Sequence, residues 1–143
     1  MTTTITAPAR VATSGTRRTP RSVVTGRVVT GLVSVFLAFD AISHITQPQP
    51  VKDAVAEMGW PADSTLWIGV AMAVSLLLYS VRRTNVLGAL LITAYLGGAV
   101  AANVQIEAGF FGGIMFPVYT AVLVWGGLWL RDPEVRAILP IRR

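Results

Sequence analysis

The chain contains no cysteine. That absence excludes disulfides, thiol redox chemistry, cysteine-ligated iron–sulfur clusters and covalently attached c-type haem. There is a single histidine, His44, so one chain cannot supply bis-histidine haem ligation. Charge is scarce: 13% of residues are Asp, Glu, Lys or Arg, against about 25% in soluble proteins. The Gly-Gly pairs lie within or beside apolar runs and have packing explanations, so no phosphate-binding glycine loop is present, and no nucleophile stands in a patterned relation to a base. His44 with Asp40 and Glu107 would make three potential metal ligands, but in no diagnostic spacing, and no metal site is assigned.

What the chain has instead is four long apolar blocks, Val28–Ile45, Thr65–Val81, Val86–Val104 and Ile114–Leu130. Hydrophobic residues make up 53% of the sequence and the mean hydropathy is +0.62. Each block approaches the ~20 helical residues needed to cross the hydrocarbon core of a bilayer. The 12 basic residues are divided unevenly between the connections. Arg10, Arg17, Arg18, Arg21 and Arg27 precede the first block, Arg82 and Arg83 separate the second from the third, and Arg131, Arg136, Arg142 and Arg143 follow the fourth. Lys52 alone falls on the other side. By the positive-inside rule both termini lie in the cytoplasm. The net charge of +5 and the pI near 10.8 are spread over three cytoplasmic segments, where they suit anionic lipid headgroups and not nucleic acid. The strong preference for Arg over Lys is the codon usage expected of a GC-rich bacterial genome, so the expected location of this multi-pass protein is a bacterial inner membrane. The expected fold class is all-α, a four-transmembrane-helix antiparallel bundle with a short interfacial helix in the first outer loop.

Residues 1–22 are rich in Thr, Ala, Pro and Arg, carry no acid and show no apolar periodicity. They read as a disordered cytoplasmic tail. A signal peptide is not expected, because the apolar run starts late, is too long and lacks a small-residue cleavage site. The membrane domain is expected over 23–140, with a basic C-terminal end at 141–143.

The first block is two-faced. Val28, Leu32, Val35, Phe39 and Ile42 share a side fit for lipid. The opposite arc carries Thr30, Ser34, Ala38, Ala41 and His44, with Asp40 at its edge, and its small residues favour close helix approach. Asp40 and His44 are neighbours on adjacent turns. Pro48 and Pro50 break the span. Residues 50–58 can form a short amphipathic helix ended by Gly59, lying in the outer interface where Trp60 and Trp67 can anchor. Asp63 or Ser64 suits the N-cap of block two. Block three has Ala94, Gly98 and Ala102 at four-residue spacing, a small-xxx-small face expected to make the tightest packing. Asn103, Gln105 and Glu107 follow at its outer end, then a glycine-rich turn with Phe110 and Phe111. Pro117 is positioned to kink block four near its start.

Tyr95-Leu96-Gly97-Gly98-Ala99-Val100-Ala101, Phe116-Pro117-Val118-Tyr119 and Val124-Trp125-Gly126-Gly127-Leu128-Trp129-Leu130-Arg131-Asp132-Pro133 resemble the DoxX-like family. Gly31-Leu32, Phe36-Leu37-Ala38-Phe39-Asp40 and Met58-Gly59-Trp60-Pro61 fit the same resemblance, which covers roughly Val24 to Pro140. The resemblance implies a four-helix membrane bundle. The family takes its name from a subunit associated with a thiosulfate:quinone oxidoreductase, and most members have no assigned reaction. It also implies a basic residue near position 44 and a histidine near position 103. This chain carries His44 and Asn103 there, so an amide replaces the second titrating group.

If helices one and three pack together, Asp40, His44, Asn103, Gln105 and Glu107 reach similar depth at the outer ends. Ionisable groups in spans raise a functional hypothesis, although water and headgroups near an interface lower their cost. The default reading is a structural polar cluster that fixes helix register. The alternatives are a small-molecule or quinone-headgroup pocket and a proton relay. The preferred function is a non-catalytic membrane subunit or interaction protein associated with a redox partner. The alternative is a quinone-linked oxidoreductase component with a small-molecule pocket at the outer ends of helices one and three. No cofactor is evident from the residues themselves, and the family resemblance makes a quinone the one to test. Expected partners are the lipid bilayer, a redox protein and a second copy of the chain. A small-molecule transporter is the weakest reading, since no broken-helix pair or internal repeat is visible.

Overall fold

The computed structural model describes residues 20–61 and 63–139. The expected tail, apart from its last three residues, and the basic end at 141–143 lie outside the described residues. Every regular element among the described residues is helical. In chain order these are α1 (Arg21–Thr46), α2 (Gln49–Glu57), α3 (Ser64–Ser80), α4 (Asn85–Gln105), a π-helical turn (Phe110–Ile114), α5 (Met115–Arg131) and α6 (Pro133–Ile138). α1, α4 and the continuous Phe110–Arg131 segment are long and apolar enough to cross a membrane. α3 is apolar but shorter, with 17 residues.

Proline and glycine punctuate the chain at positions that chemistry dictates. α1 ends where Gln47 turns left-handed (φ 51°) and returns its N–H to the Ser43 carbonyl, just ahead of Pro48. α2 ends in a Schellman cap: Gly59 has φ 71°, its N–H meets the Ala56 carbonyl at 2.9 Å, and the Trp60 N–H meets the Val55 carbonyl at 3.2 Å. Asp63 is the N-cap residue of α3, but its side chain makes no capping bond. Ser64 donates its hydroxyl to the Pro61 carbonyl instead. The π turn precedes Pro117, which lacks an N–H and would crowd the Gly113 carbonyl in a regular helix. Widening the preceding turn relieves that conflict.

α1 packs against α3 and α5, and α4 packs against the same two helices, so α1 and α4 stand across the diagonal. The core holds Leu37, Met72, Tyr79, Ile92, Val124 and Leu128. The Tyr79 hydroxyl donates to the Val124 carbonyl at 2.9 Å, and the Trp125 indole N–H donates to the Thr93 hydroxyl at 2.9 Å. The expected lipid face of α1 is open: Val28, Leu32, Val35, Phe39 and Ile42 are all exposed. Its buried seam is Gly26, Thr30, Val33, Leu37 and Ala41. Ser34 and Ala38, expected at a close helix contact, are only half-buried on its flank. A helix held between two neighbours needs the volume of Val33 and Leu37 to fill the space between them.

The tightest approaches also differ from expectation. A Cβ on Gly98 would meet nothing within 4 Å, and Ala94 is exposed, whereas Ala102 is buried. By contrast, a Cβ on Gly88 would run into the Tyr79 backbone, one on Gly26 would stand 2.6 Å from the Arg131 nitrogen, and one on Gly69 would stand 2.9 Å from the Ala41 carbonyl. The helix contacts therefore close at Gly26, Gly69 and Gly88, not at the Ala94–Gly98 face.

At the arginine-bearing end, Asp132 N-caps α6 by accepting the Glu134 N–H at 3.0 Å and accepts the Asn85 amide at 2.9 Å. Burial pushes this carboxyl up, but those hydrogen bonds and the nearby Arg82 charge outweigh it and hold the group below the usual carboxylate range. Arg131 lies over the Tyr79 ring, 5.2 Å from its centroid, and donates to the Tyr79 carbonyl at 3.3 Å.

Candidate functional site

At the opposite end, the four helices diverge around a cavity of about 830 Å³, within the ~300–1,000 Å³ range of small-molecule sites. Its cause lies in the sequence. Ala94, Gly98, Ala99 and Ala102 of α4, Ala71 of α3 and Ala54 of α2 all line it. Small side chains on facing helices that do not touch leave volume empty. Phe36 of α1 and Phe116 of α5 meet edge to face at 5.5 Å along one wall. Val51 and Val55 of α2, Met58 at its C-cap, and Trp60 and Trp67 also line it.

The polar groups are few and convergent. Asp40 and His44 line the cavity from α1, and Tyr95 and Asn103 line it from α4. The Tyr95 hydroxyl donates across the diagonal to Asp40 Oδ2 at 2.9 Å. His44 Nδ1 lies 3.0 Å from the Asp40 backbone carbonyl and 3.7 Å from Asp40 Oδ1. A carbonyl oxygen only accepts, so Nδ1 carries a hydrogen in this contact. The carboxylate and imidazole keep 29% and 21% of their side-chain surface exposed, which leaves both accessible from the cavity.

The expected five-residue cluster therefore divides. Asp40, His44 and Asn103 share the cavity, with Asn103 Nδ2 donating to the Ala99 carbonyl at 2.8 Å. Gly113 packs against Ala108, where an added Cβ would stand 2.6 Å from the Ala108 Cβ and 3.3 Å from Asn103 Oδ1. Gln105 does not line the cavity. Its amide donates to the Met58 carbonyl at 3.1 Å and ties the end of α4 to the cap of α2. Glu107 is exposed in the following turn, left-handed at φ 52°. Among the described residues, no group of three or more His, Cys, Asp or Glu stands together as a metal site.

Tyr95 is the residue that the polar-cluster reading missed. A signal was available: Tyr95 lies within an apolar block, where a hydroxyl needs a partner, and Asp40 is the one acid inside any of the four blocks. Gly98 and Ala94 line the cavity, and a Cβ on Gly98 would meet nothing within 4 Å in the chain.

A family model described as the DoxX-like family matches residues 28–127. No curated protein and no solved structure matches the chain. The matched segment runs from the first half of α1 to Gly127 in α5 and contains every residue that lines the cavity.

Proposed function

The chain belongs to the DoxX-like family and is a helical membrane protein in contact with the lipid bilayer, and on that premise we propose that it is a four-span subunit that holds a lipophilic small molecule of the quinone class for a redox-protein partner. The cavity is the single observation that carries this reading: about 830 Å³, walled by hydrocarbon and aromatic rings, with Asp40, His44 and Tyr95 converging at one place. Such a combination of apolar walls and a few placed polar groups suits an amphipathic ligand. The subunit itself supplies no reaction in this proposal; it binds and presents.

In this account α3 is the fourth span. Its 17 residues lie at the short end of the ~17–25 that cross a bilayer. The arginine-bearing end, with Arg82, Arg83 and Arg131, faces the cytoplasm of a bacterial cell together with both termini, and the α2 end faces outward. α2 then lies in the outer interface over the cavity mouth.

The test is direct binding. Purified protein in lipid nanodiscs is titrated with a short-chain naphthoquinone, and the quenching of tryptophan fluorescence is followed. Saturable quenching is expected in the wild type and is lost in Ala99→Phe, which fills the cavity, while Ala99→Phe keeps the wild-type melting transition. Quenching that never saturates, or that Ala99→Phe leaves unchanged, would sink the proposal.

A further inference from the structure

The hydrogen-bonding state of the cavity's polar end is determined by its internal partners. The single hydrogen of the Tyr95 hydroxyl is committed to Asp40 Oδ2, which leaves the phenol oxygen only as an acceptor. The Nδ1 hydrogen of His44 is committed to the Asp40 backbone carbonyl. Asp40 Oδ1 lies 3.7 Å from Nδ1, beyond hydrogen-bonding distance, and its lone pairs are free. The Asp40 carboxylate and the Tyr95 phenol oxygen therefore meet there with spare lone pairs and no spare hydrogen.

The remaining donors that line the cavity come from other parts of the chain. Asn103 keeps one amide hydrogen after its bond to Ala99, but it stands two turns beyond Tyr95, about 12 Å along α4 at 1.5 Å per residue. Trp60 follows the cap of α2, and Trp67 is in the first turn of α3.

From this arrangement we infer that the Asp40–Tyr95 end of the cavity selects a ligand carrying a hydroxyl donor over one that carries only acceptors. For a quinone-class ligand, the reduced quinol is held in preference to the quinone. This inference rests on the ligand reading above and adds which redox form the site retains. A quinol hydroxyl gives a hydrogen to Asp40 Oδ1. A quinone carbonyl in the same place meets the lone pairs of Asp40 and Tyr95, and a buried acceptor left without a donor loses affinity.

The experiment compares three probes built on one ring system on the wild-type protein in nanodiscs: a short-chain naphthoquinol under anaerobic conditions, its quinone, and the quinol's dimethyl ether. The quinol is expected to bind at least about tenfold more tightly than either of the others. A tenfold preference also raises the midpoint potential of the bound two-electron couple by about 30 mV, read by spectroelectrochemical titration. In Asp40→Asn, which places an amide donor at this end, the preference should shrink or reverse. Equal or tighter binding of the quinone overturns the inference and leaves the proposed ligand class standing. Equal binding of the dimethyl ether overturns it too, because shape alone would then explain recognition. Saturable binding of none of the three overturns the ligand reading itself.

Discussion

Replacing Gly88 by alanine should destabilise the protein, and the same change at Gly98 should not. At Gly88 the added methyl would be driven into the Tyr79 backbone nitrogen and Cα. Neither atom can move alone, since Tyr79 is fully buried, its hydroxyl is bonded to the Val124 carbonyl at 2.9 Å, and Arg131 lies 5.2 Å above its ring. The α3–α4 pair must separate to admit the methyl. Overpacking of this kind costs about 1–3 kcal/mol or more, whereas the intrinsic helical gain of alanine over glycine is only about 1 kcal/mol. With backbone as the obstacle the upper end applies, and the net loss should be about 2 kcal/mol. At Gly98 nothing lies within 4 Å, so only the propensity gain remains, up to about 1 kcal/mol. The two variants should therefore move in opposite directions in reversible unfolding from mixed detergent micelles. A Gly98→Ala variant as unstable as Gly88→Ala would refute the reasoning and restore Gly98 to a close helix contact.

Three further outcomes follow from other parts of the fold. Tyr95→Phe removes the donor that crosses the diagonal to Asp40 and should cost about 0.6–1.7 kcal/mol in the same unfolding assay, with a stability change below that range counting against the bond. Asp132 has a depressed carboxyl pKa in the folded state, so its contribution to stability is present above the ordinary carboxylate value and is lost as pH falls through the folded one. The stability advantage of wild type over Asp132→Asn should be about 1 kcal/mol at neutral pH and should disappear well below pH ~4, whereas an advantage that persists in acid would contradict the assignment. Since the chain has no cysteine, Glu57→Cys and Arg82→Cys report topology cleanly: a membrane-impermeant reagent applied outside intact cells should label the first and not the second.

The ends of the long helices were legible because their signals are local. The Pro48 break and the Gly59 cap each depend on a few adjacent residues, and the four apolar blocks sit within a residue or two of α3, α4 and α5 at both ends and of α1 at its C-terminus. The exposed stripe of α1 was legible for the same reason, since helical periodicity alone groups Val28 with Leu32, Val35 and Phe39. What the small residues do was not legible. Ala94 and Gly98 have the spacing of a packing face, but spacing does not say whether a neighbouring helix closes on that face, and α1, across the diagonal, does not. The same pattern that closes a contact between neighbours opens a cavity between helices that are not neighbours. Asp40 and His44 were paired by sequence distance alone. Tyr95 and Gln105 find their partners 55 and 47 residues away, through an arrangement of helices that no local pattern encodes.

The central claim is that a lipophilic molecule occupies the cavity between α1 and α4. The most direct measurement is to purify the protein from its native membranes, extract it with organic solvent, and identify and quantify the small molecules released by mass spectrometry, with Ala99→Phe processed in parallel. The account predicts a quinone-class compound approaching one per chain from the wild type and its loss from Ala99→Phe at unchanged melting temperature. A wild-type extract without any quinone-class compound enriched over Ala99→Phe would contradict it.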